Sequence, residues 1–348
     1  MKHNWEYKQF TDIATSITPR IKVDKSDYLL EGPVPIISQE ESYISGYWDN
    51  LDDITPHNGP VIIFGDHSRV LKYVDCDFVV GADGVKIISP KDCICAKFLF
   101  HFLKWYNIPS LGYSRHFKLI KDATFPVPSI ETQMQIVAEL DKINETIADC
   151  RELLRNLDAL AQSLFYDFFG DPVTNPKGWE TSRFGELCKL SAGGDKPFDT
   201  QKEISKDFNI PIYSNGIENE GLYGYTSKPR ITSPAITISG RGTLGVPFIR
   251  LKPFVPIIRL IVAIPSPVVN LTFLFYMIKL LKIGGKGAAI PQLTVPMVKD
   301  LLLPVPPLSL QEKFAARIEQ IEEQKKAVEQ TIAELQTLLD SRMDYWFN

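Results

Sequence analysis

The chain has 348 residues, 44% hydrophobic and 23% charged, with a formal net charge of −4. That composition is ordinary for a globular protein, and the length is large for one core, so two or more domains are expected. No apolar run reaches the ~20 residues of a membrane-spanning helix, and the opening MKHNWEYKQF lacks the apolar core of a signal peptide.

In chain order, residues 1–128 read as a first mixed α/β globule. Val61-Ile62-Ile63-Phe64, Phe78-Val79-Val80 and Val85-Lys86-Ile87-Ile88 are strand-like runs bounded by Gly, Pro, Asn and Asp. FLFHFLKWY, from Phe98, reads as a short buried helix. Residues 129–170 follow as a long helix. There Ile136, Leu140, Ile143, Ile147, Cys150, Leu154, Leu157, Ala161, Leu164 and Phe168 alternate spacings of four and three, the seam of a coiled coil. Gly170 and Pro172 stop it.

Residues 171–307 form a second globule, with Ala235-Ile236-Thr237-Ile238 as a strand and FLFYMIKLL, from Phe273, as a short helix. Residues 308–348 form a second long helix, whose seam is Phe314, Ile318, Ile321, Lys325, Val328, Ile332, Leu335 and Leu339. Lys325 is the one charged residue in that run, a polar intrusion of the kind that fixes register. Each helix is expected to span ~38 residues, roughly 57 Å at 1.5 Å per residue. Ser129 and Ser309 stand near the two starts as caps.

The second half repeats the first. Trp5-Glu6 is echoed by Trp179-Glu180, Pro35-Ile36 by Pro211-Ile212, and Phe98-Leu99-Phe100 by Phe273-Leu274-Phe275. Gly46-Tyr47 falls beside Leu222-Tyr223. Pro126-Val127-Pro128 recurs as Pro304-Val305-Pro306, each followed by a helix with Gln at the same place. A seam of this kind needs a partner, and the simplest is the other helix. The expected fold is therefore α+β: two mixed α/β globules joined and followed by long helices that pair as an antiparallel coiled coil, with pseudo-twofold symmetry.

Charge divides by segment. Residues 1–128 carry 14 basic and 16 acidic side chains, 129–170 carry 3 and 8, 171–307 carry 16 and 10, and 308–348 carry 5 and 8. The acid lies in the helices, and the second globule is suited to a polyanion.

Few motifs point to catalysis. Gly240, Gly242 and Gly245 spell G-x-G-x-x-G, but strand-like, Pro-punctuated residues follow where a dinucleotide site needs a helix. A loop between strands with Arg241 at its tip is the better reading. IGGKGAAIP lacks the Ser/Thr and spacing of a phosphate-binding loop. The five cysteines (Cys76, Cys93, Cys95, Cys150, Cys188) match neither a disulfide nor a zinc pattern, and the five histidines are scattered. No catalytic residue, metal or cofactor is expected in this chain, and a reducing cytoplasm is the expected compartment. The remaining candidates are basic residues near aromatics. They are Arg69 and Lys72 in GDHSRVLK; Tyr113, Arg115, His116 and Lys118 in GYSRHFK; Lys228 and Arg230 in TSKPR; Arg241; and Lys286 and Gln292 in GGKGAAIPQ. Arg reads guanine, Gln reads adenine, and Lys or Arg grips phosphate.

The repeated Pro-Val-Pro hinge with Gln133 to Leu140, and Leu303-Pro304-Val305-Pro306-Pro307-Leu308 with Gln311 to Ile318, resembles the specificity subunit of type I restriction–modification systems. GKGAAIPQLTVPMVKDLLLPVPPL and ITISGRGTLG resemble the same family. The first hinge departs from it, reading Val127-Pro128-Ser129-Ile130 where a second Pro and a Leu are more typical. The resemblance implies a non-catalytic subunit with two target-recognition domains, each reading one half of a bipartite site on double-stranded DNA. It implies helices that set the spacing and dock two methyltransferase subunits, which bring S-adenosylmethionine, and restriction subunits that bring ATP and Mg. It implies no membrane partner. The alternatives are a two-headed DNA-binding scaffold without methyltransferase partners, and an enzyme using its Gly-rich loops for a nucleotide.

Overall fold

The structure, a computed structural model, describes residues 4–81, 84–112, 114–283 and 292–348. It comprises two compact units, Met1–Arg151 with Glu329–Asn348, and Glu152–Val328. Each unit thus holds one globule and a part of each long helix.

The first unit runs β1 (Glu6–Gln9), α1 (Phe10–Ile13), β2 (Ala14–Ile17), β3 (Lys22–Val23), β4 (Val34–Ile37), β5 (Gly46–Trp48), β6 (Val61–Gly65), β7 (Leu71–Val74), β8 (Val79–Gly81), β9 (Val85–Pro90), α2 (Ala96–Tyr106), α3 (Phe117–Lys121), β10 (Thr124–Val127) and the start of α4 (Ile130–Phe169). One sheet has the order β2-β9-β6-β7, another β3-β8-β4-β5, and β1 pairs with β10. β6 is buried along its whole length, as its unbroken apolar run requires. The buried face of α2, formed by Phe98, Leu99, Phe102 and Leu103, shares a core with Ile62, Phe64 and Ile88 of the sheet.

The second unit begins in α4 and continues β11 (Thr181–Arg183), α5 (Phe184–Leu187), β12 (Cys188–Ala192), β13 (Ile210–Tyr213), β14 (Leu222–Thr226), β15 (Ala235–Ile238), β16 (Pro247–Arg250), β17 (Val255–Pro256), β18 (Ile261–Pro265), α6 (Leu271–Leu281), α7 (Val295–Lys299), β19 (Leu302–Pro304) and α8 (Leu308–Phe347). Its sheets have the orders β12-β18-β15-β16 and β14-β13-β17, and β11 pairs with β19. Strand for strand this is the first unit again. The counterpart of β3 is reduced to a single parallel bridge between Gly194 and Ile257. The ladder corrects one detail of the sequence alignment. Pro35 faces Tyr47 and Pro211 faces Tyr225, so Gly46-Tyr47 matches Gly224-Tyr225 and not Leu222-Tyr223. The two candidates lie two residues apart, and only Gly224-Tyr225 repeats the Gly-Tyr pair literally.

Both long helices have 40 residues. In the first unit Glu139 of α4 accepts from Arg342 and, at 3.0 Å, from the Trp346 indole of α8. In the second unit Lys325 of α8 meets Asp158 of α4 at 2.9 Å, and Phe165 lies against Phe314. An early part of α4 thus meets a late part of α8, and a later part an earlier one, so the helices run antiparallel. Ile136, Leu140, Ile143 and Ile147 are buried with Ile332 and Leu335 packed against them. In the second unit Leu157, Phe314, Ile318 and Ile321 are buried, and Leu154 and Val328 are half-buried.

The seam departs from the heptad at the end of α4. Phe165 and Phe169 are buried there, with Leu164 and Phe168 beside them only partly so. The cause is a second neighbour: Phe169 also packs on Phe273 of α6, 4.8 Å between ring centroids. A helix facing a globule follows the 3.6-residue turn and drifts off the 3.5-residue repeat. Met343 and Phe347 stand at the equivalent positions of α8 and are likewise buried. Ser129 caps α4, its hydroxyl accepting from the Thr132 N–H at 3.2 Å. Ser309 lies one residue inside α8, where the carbonyl of Pro307 instead accepts from the N–H groups of Leu310 and Gln311.

Candidate nucleic-acid interface

In each globule two segments meet: the loop of one hairpin and the chain entering a short helix. The carbonyl of Asp66, after β6, accepts from the N–H of His116 at 3.0 Å, and that of Gly240, after β15, accepts from Leu293 at 2.8 Å. This shared bond makes Arg115 and Gln292 counterparts, each one residue before the anchoring N–H. It likewise makes His67 and Arg241 counterparts at the hairpin tips. The two basic segments singled out in sequence, GDHSRVLK and SGRGTLG, are the same structural loop.

In the first unit the junction is built around a buried carboxylate. Asp66 Oδ1 accepts from the Phe117 N–H at 2.8 Å, and Lys86 Nζ lies 3.9 Å from Oδ2. His116 is buried, with Nδ1 2.9 Å from the Asp66 carbonyl and Nε2 accepting from the Leu111 N–H at 3.0 Å. Lys72 is buried as well, and its ammonium donates to the carbonyls of Ser38 at 2.9 Å and Ser42 at 2.6 Å. Burial lowers the pKa of Lys72 below that of a free lysine, and Glu40 opposes the shift. Both of these sequence candidates are turned inward. Their polar atoms are committed to loop backbone and hold the junction together, an assignment that charge in a loop does not reveal. Arg69, Arg115 and Lys118 are exposed. Arg69 has a left-handed backbone, φ 62°, and Nη1 donates to the Ile108 carbonyl at 3.0 Å. A concavity of about 340 Å³ lies beside them, lined by Gln39, His67, Ser68, Gly112 and Ser114. Tyr113 and Lys286 lie outside the described residues.

In the second unit the Gly-rich loop joins antiparallel β15 and β16. Ser239 folds it, accepting from the Val246 N–H at 2.9 Å and donating to the Thr243 carbonyl. Gly245 has φ 76°, and a Cβ there would fall 1.6 Å from the Ile283 carbonyl oxygen, so only glycine fits. Asn215 ties this loop to the next: Oδ1 accepts from the Gly240 N–H at 2.7 Å, and Nδ2 donates to the Ile258 carbonyl at 2.8 Å. Ile258 and Arg259 are consecutive non-glycine residues with φ 53° and 59°, a conformation that costs on the order of 1–3 kcal/mol per residue and persists only where its surroundings hold it. Their N–H groups donate to Gly194 and Gly193, both at 2.9 Å. The result is a groove of about 330 Å³ lined by Gly193, Gly194, Asp195, Lys196, Arg241, Ile258 and Arg259. Arg230 approaches Gly194, its Nη1 3.3 Å from where a Cβ would stand. Lys228 is exposed nearby in sequence, and Gln292 is half-buried.

Lys196 and Arg259 were not singled out in sequence. Gly193-Gly194 before Lys196 was a usable signal for a close backbone approach. The turn that exposes Arg259 was not, since its residues read as strand. On the same loop as Lys196, hydrogen bonds from the Ser227 hydroxyl and N–H hold the Asp199 carboxyl down to about 2. Guanidinium and ammonium groups on backbone-braced loops suit a polyanion, with Arg and Gln able to read base edges. Among the described residues no group of three His, Cys, Asp or Glu is placed to hold a metal ion, and no helix is long and apolar enough to cross a membrane.

The chain is a duplicated α+β protein with two alike globules, each presenting exposed cations at the same junction. The family model for the type I restriction modification DNA specificity domain matches twice, over residues 2–157 and 176–337. The chain belongs to this family. It is 31% identical over 209 residues to a Mycoplasma pneumoniae protein named as a type I specificity subunit, covering 58% of this chain and 56% of that one. It is 23% identical over 375 residues to the MjaIX type I restriction enzyme specificity subunit of Methanocaldococcus jannaschii, covering 91% of this chain and 86% of the relative. The chain spans about half the length of the first two Mycoplasma relatives it matches, 56% and 47%. The fold is that of the type I restriction-modification S subunit from M. genitalium, with TM-score 0.66, 16% identity and 98% and 96% of the two chains covered.

Proposed function

We propose that this chain is the DNA-recognition subunit of a type I restriction–modification complex, with one half-site of a bipartite target read by each globule. The observation that carries the reading is the duplicated junction, in which Arg115 and Gln292 flank the same backbone hydrogen bond beside the hairpin tips of His67 and Arg241. Arg69, Lys118, Lys228, Arg230, Lys196 and Arg259 supply further exposed cations for phosphates or base edges. The recognition domains are residues 1–128 and 171–307. The helices, 129–170 and 308–348, set the gap between half-sites and dock two methyltransferase subunits. Their acidic character suits protein contact better than phosphate contact. Chemistry belongs to the partner chains: S-adenosylmethionine to the methyltransferase subunits, ATP and Mg to the restriction subunits. This chain is non-catalytic and works in the cytoplasm.

The test is to co-express the chain with type I methyltransferase subunits and map methylated adenine across the genome. A split motif with two defined halves and an unspecified gap is the expected result. Replacing residues 1–128 with another such globule changes one half and leaves the other. A continuous motif, or a swap that alters both halves, removes the reading.

A further inference from the structure

Two large apolar side chains stand clear of the globules: Leu30, 95% exposed, and Phe198, fully exposed. Both lie in the same connection of the repeat, the one leading into β4 in the first unit and β13 in the second. Each connection is anchored by the same two-way backbone bridge, with Leu30 one residue after its anchor and Phe198 three residues before its own. Leu29 exchanges N–H···O bonds of 3.0 and 2.9 Å with Tyr47, and Gln201 exchanges bonds of 2.9 and 2.8 Å with Tyr225.

The turn bearing Phe198 is braced further. Thr200 Oγ1 donates to the Pro197 carbonyl at 2.7 Å, and Asp199 accepts from the Ser227 N–H at 3.1 Å and hydroxyl at 2.5 Å. A mobile tip would let the ring fold back onto apolar surface, whereas this turn presents it outward. Two residues earlier in the chain, Lys196 lines the cationic groove with Arg241 and Arg259. An exposed apolar ring on a braced turn, two residues along the chain from a lysine of a cationic groove, is suited to parting stacked base pairs or to stacking on a base.

We propose that Phe198 and Leu30 are wedges, each entering a base step of the DNA half-site bound by its own globule. The proposal rests on the reading of the globules as DNA-binding heads and adds a second mode of selection to it. A wedge favours steps that unstack easily, TA and CA/TG, and so contributes specificity without a hydrogen bond to any base edge. Neither side chain belongs to a core, so its removal leaves the fold in place.

The experiment uses the full-length chain and a pool of duplexes with a randomised centre, from which bound DNA is selected and sequenced. The wild type is expected to enrich a split motif. Phe198→Ala is expected to bind the selected duplex at least tenfold more weakly and to lose the preference at one step of one half-site. Leu30→Ala is expected to do the same in the other half-site, and Phe198→Trp to retain binding. A 2-aminopurine placed at the affected step should brighten with the wild type and not with Phe198→Ala. Binding within twofold of wild type for both alanine variants, with the same fluorescence change, overturns the wedge and leaves DNA recognition standing. If the wild type enriches no sequence, the recognition reading fails, and the wedge fails with it.

Discussion

The side-chain oxygen of Gln133 accepts a hydrogen bond from the backbone N–H of Cys95 at 2.7 Å, joining the start of α4 to the start of α2. Its amide nitrogen donates to the carbonyls of Pro128 at 2.9 Å and Cys93 at 3.1 Å. Gln311 repeats the arrangement, with Asn270 at 2.8 Å, Pro306 at 2.8 Å and Val268 at 3.3 Å. Both glutamines are fully buried. Removing either strands one buried carbonyl, of Pro128 or Pro306, together with a part-buried N–H and a part-buried carbonyl, at about 1–3 kcal/mol for a fully buried unsatisfied group. Gln133→Ala is expected to destabilise the first unit by roughly 2–4 kcal/mol in urea titrations, and Gln311→Ala the second by a similar amount. Gln133→Glu should be no milder at neutral pH, because it aims a charge at two carbonyls.

Glu139, Arg342 and Trp346 tie α4 to α8 in the first unit. The hydrogen bond from Arg342, reinforced by Trp346, holds the Glu139 carboxyl below its ordinary value of 4.5, with burial opposing. A carboxylate whose folded pKa is lowered contributes stability that is present above about pH 4.5 and is lost as pH falls through the lowered value. His101 adds to the acid sensitivity. Burial lowers its pKa below 6.5, although Asp141 at 2.8 Å opposes the shift, so stability already declines as pH falls below about 6.5. Thermal melts from pH 8 to pH 3 should show a gradual decline and then a steeper one. Glu139→Gln should flatten the lower part, and His101→Gln the upper.

Phe314 packs on Phe165 and Phe169, with ring centroids 5.6 and 5.2 Å away, and on Tyr276 at 5.5 Å. Phe314→Ala is expected to cost about 3–5 kcal/mol, the range for deleting a buried aromatic ring. Phe314→Leu should recover more than half of that. Chemical denaturation of the full chain measures both.

Arg241→Ala and Arg259→Ala separate two kinds of DNA contact. If the guanidinium neutralises a phosphate, affinity falls for every sequence and the slope of log K against log salt decreases in magnitude by about 1. If it reads a base edge, the slope changes little and discrimination at one base pair drops by about 1–3 kcal/mol. Binding measured at several salt concentrations on the selected duplex and on a mismatched one distinguishes the two.

The duplication was legible because proline, glutamine and the helix seam recur at nearly fixed offsets, and each has a structural reason to recur. Pro128 and Pro306 offer carbonyls to the two glutamines, and the seam follows from the heptad. The burial of Lys72 and His116 was not legible, because a basic residue in a loop has the same appearance in sequence whether it faces solvent or the carbonyls of Ser38 and Asp66. Arg259 was missed because it owes its exposure to a left-handed turn of two non-glycine residues. That turn is held by Gly193, Gly194 and Asn215, the last 43 residues away in sequence. At the end of α4 burial shifts from Leu164 and Phe168 to Phe165 and Phe169 because of a neighbour, α6, that a two-helix pattern does not contain.

The first unit is discontinuous, since it closes with Glu329–Asn348, whereas Glu152–Val328 is one uninterrupted stretch. During synthesis the second unit can therefore finish first. At translation rates of 5–20 residues per second, the N-terminal globule waits on the order of 10–40 s after residue 151 before Leu339, Met343 and Phe347 arrive to cover Ile136, Leu140 and Phe98. Over that interval the nascent protein carries an open apolar seam on α4. A chaperone that holds the chain should bind there, and a stop codon near residue 328 should unfold the head that was made first.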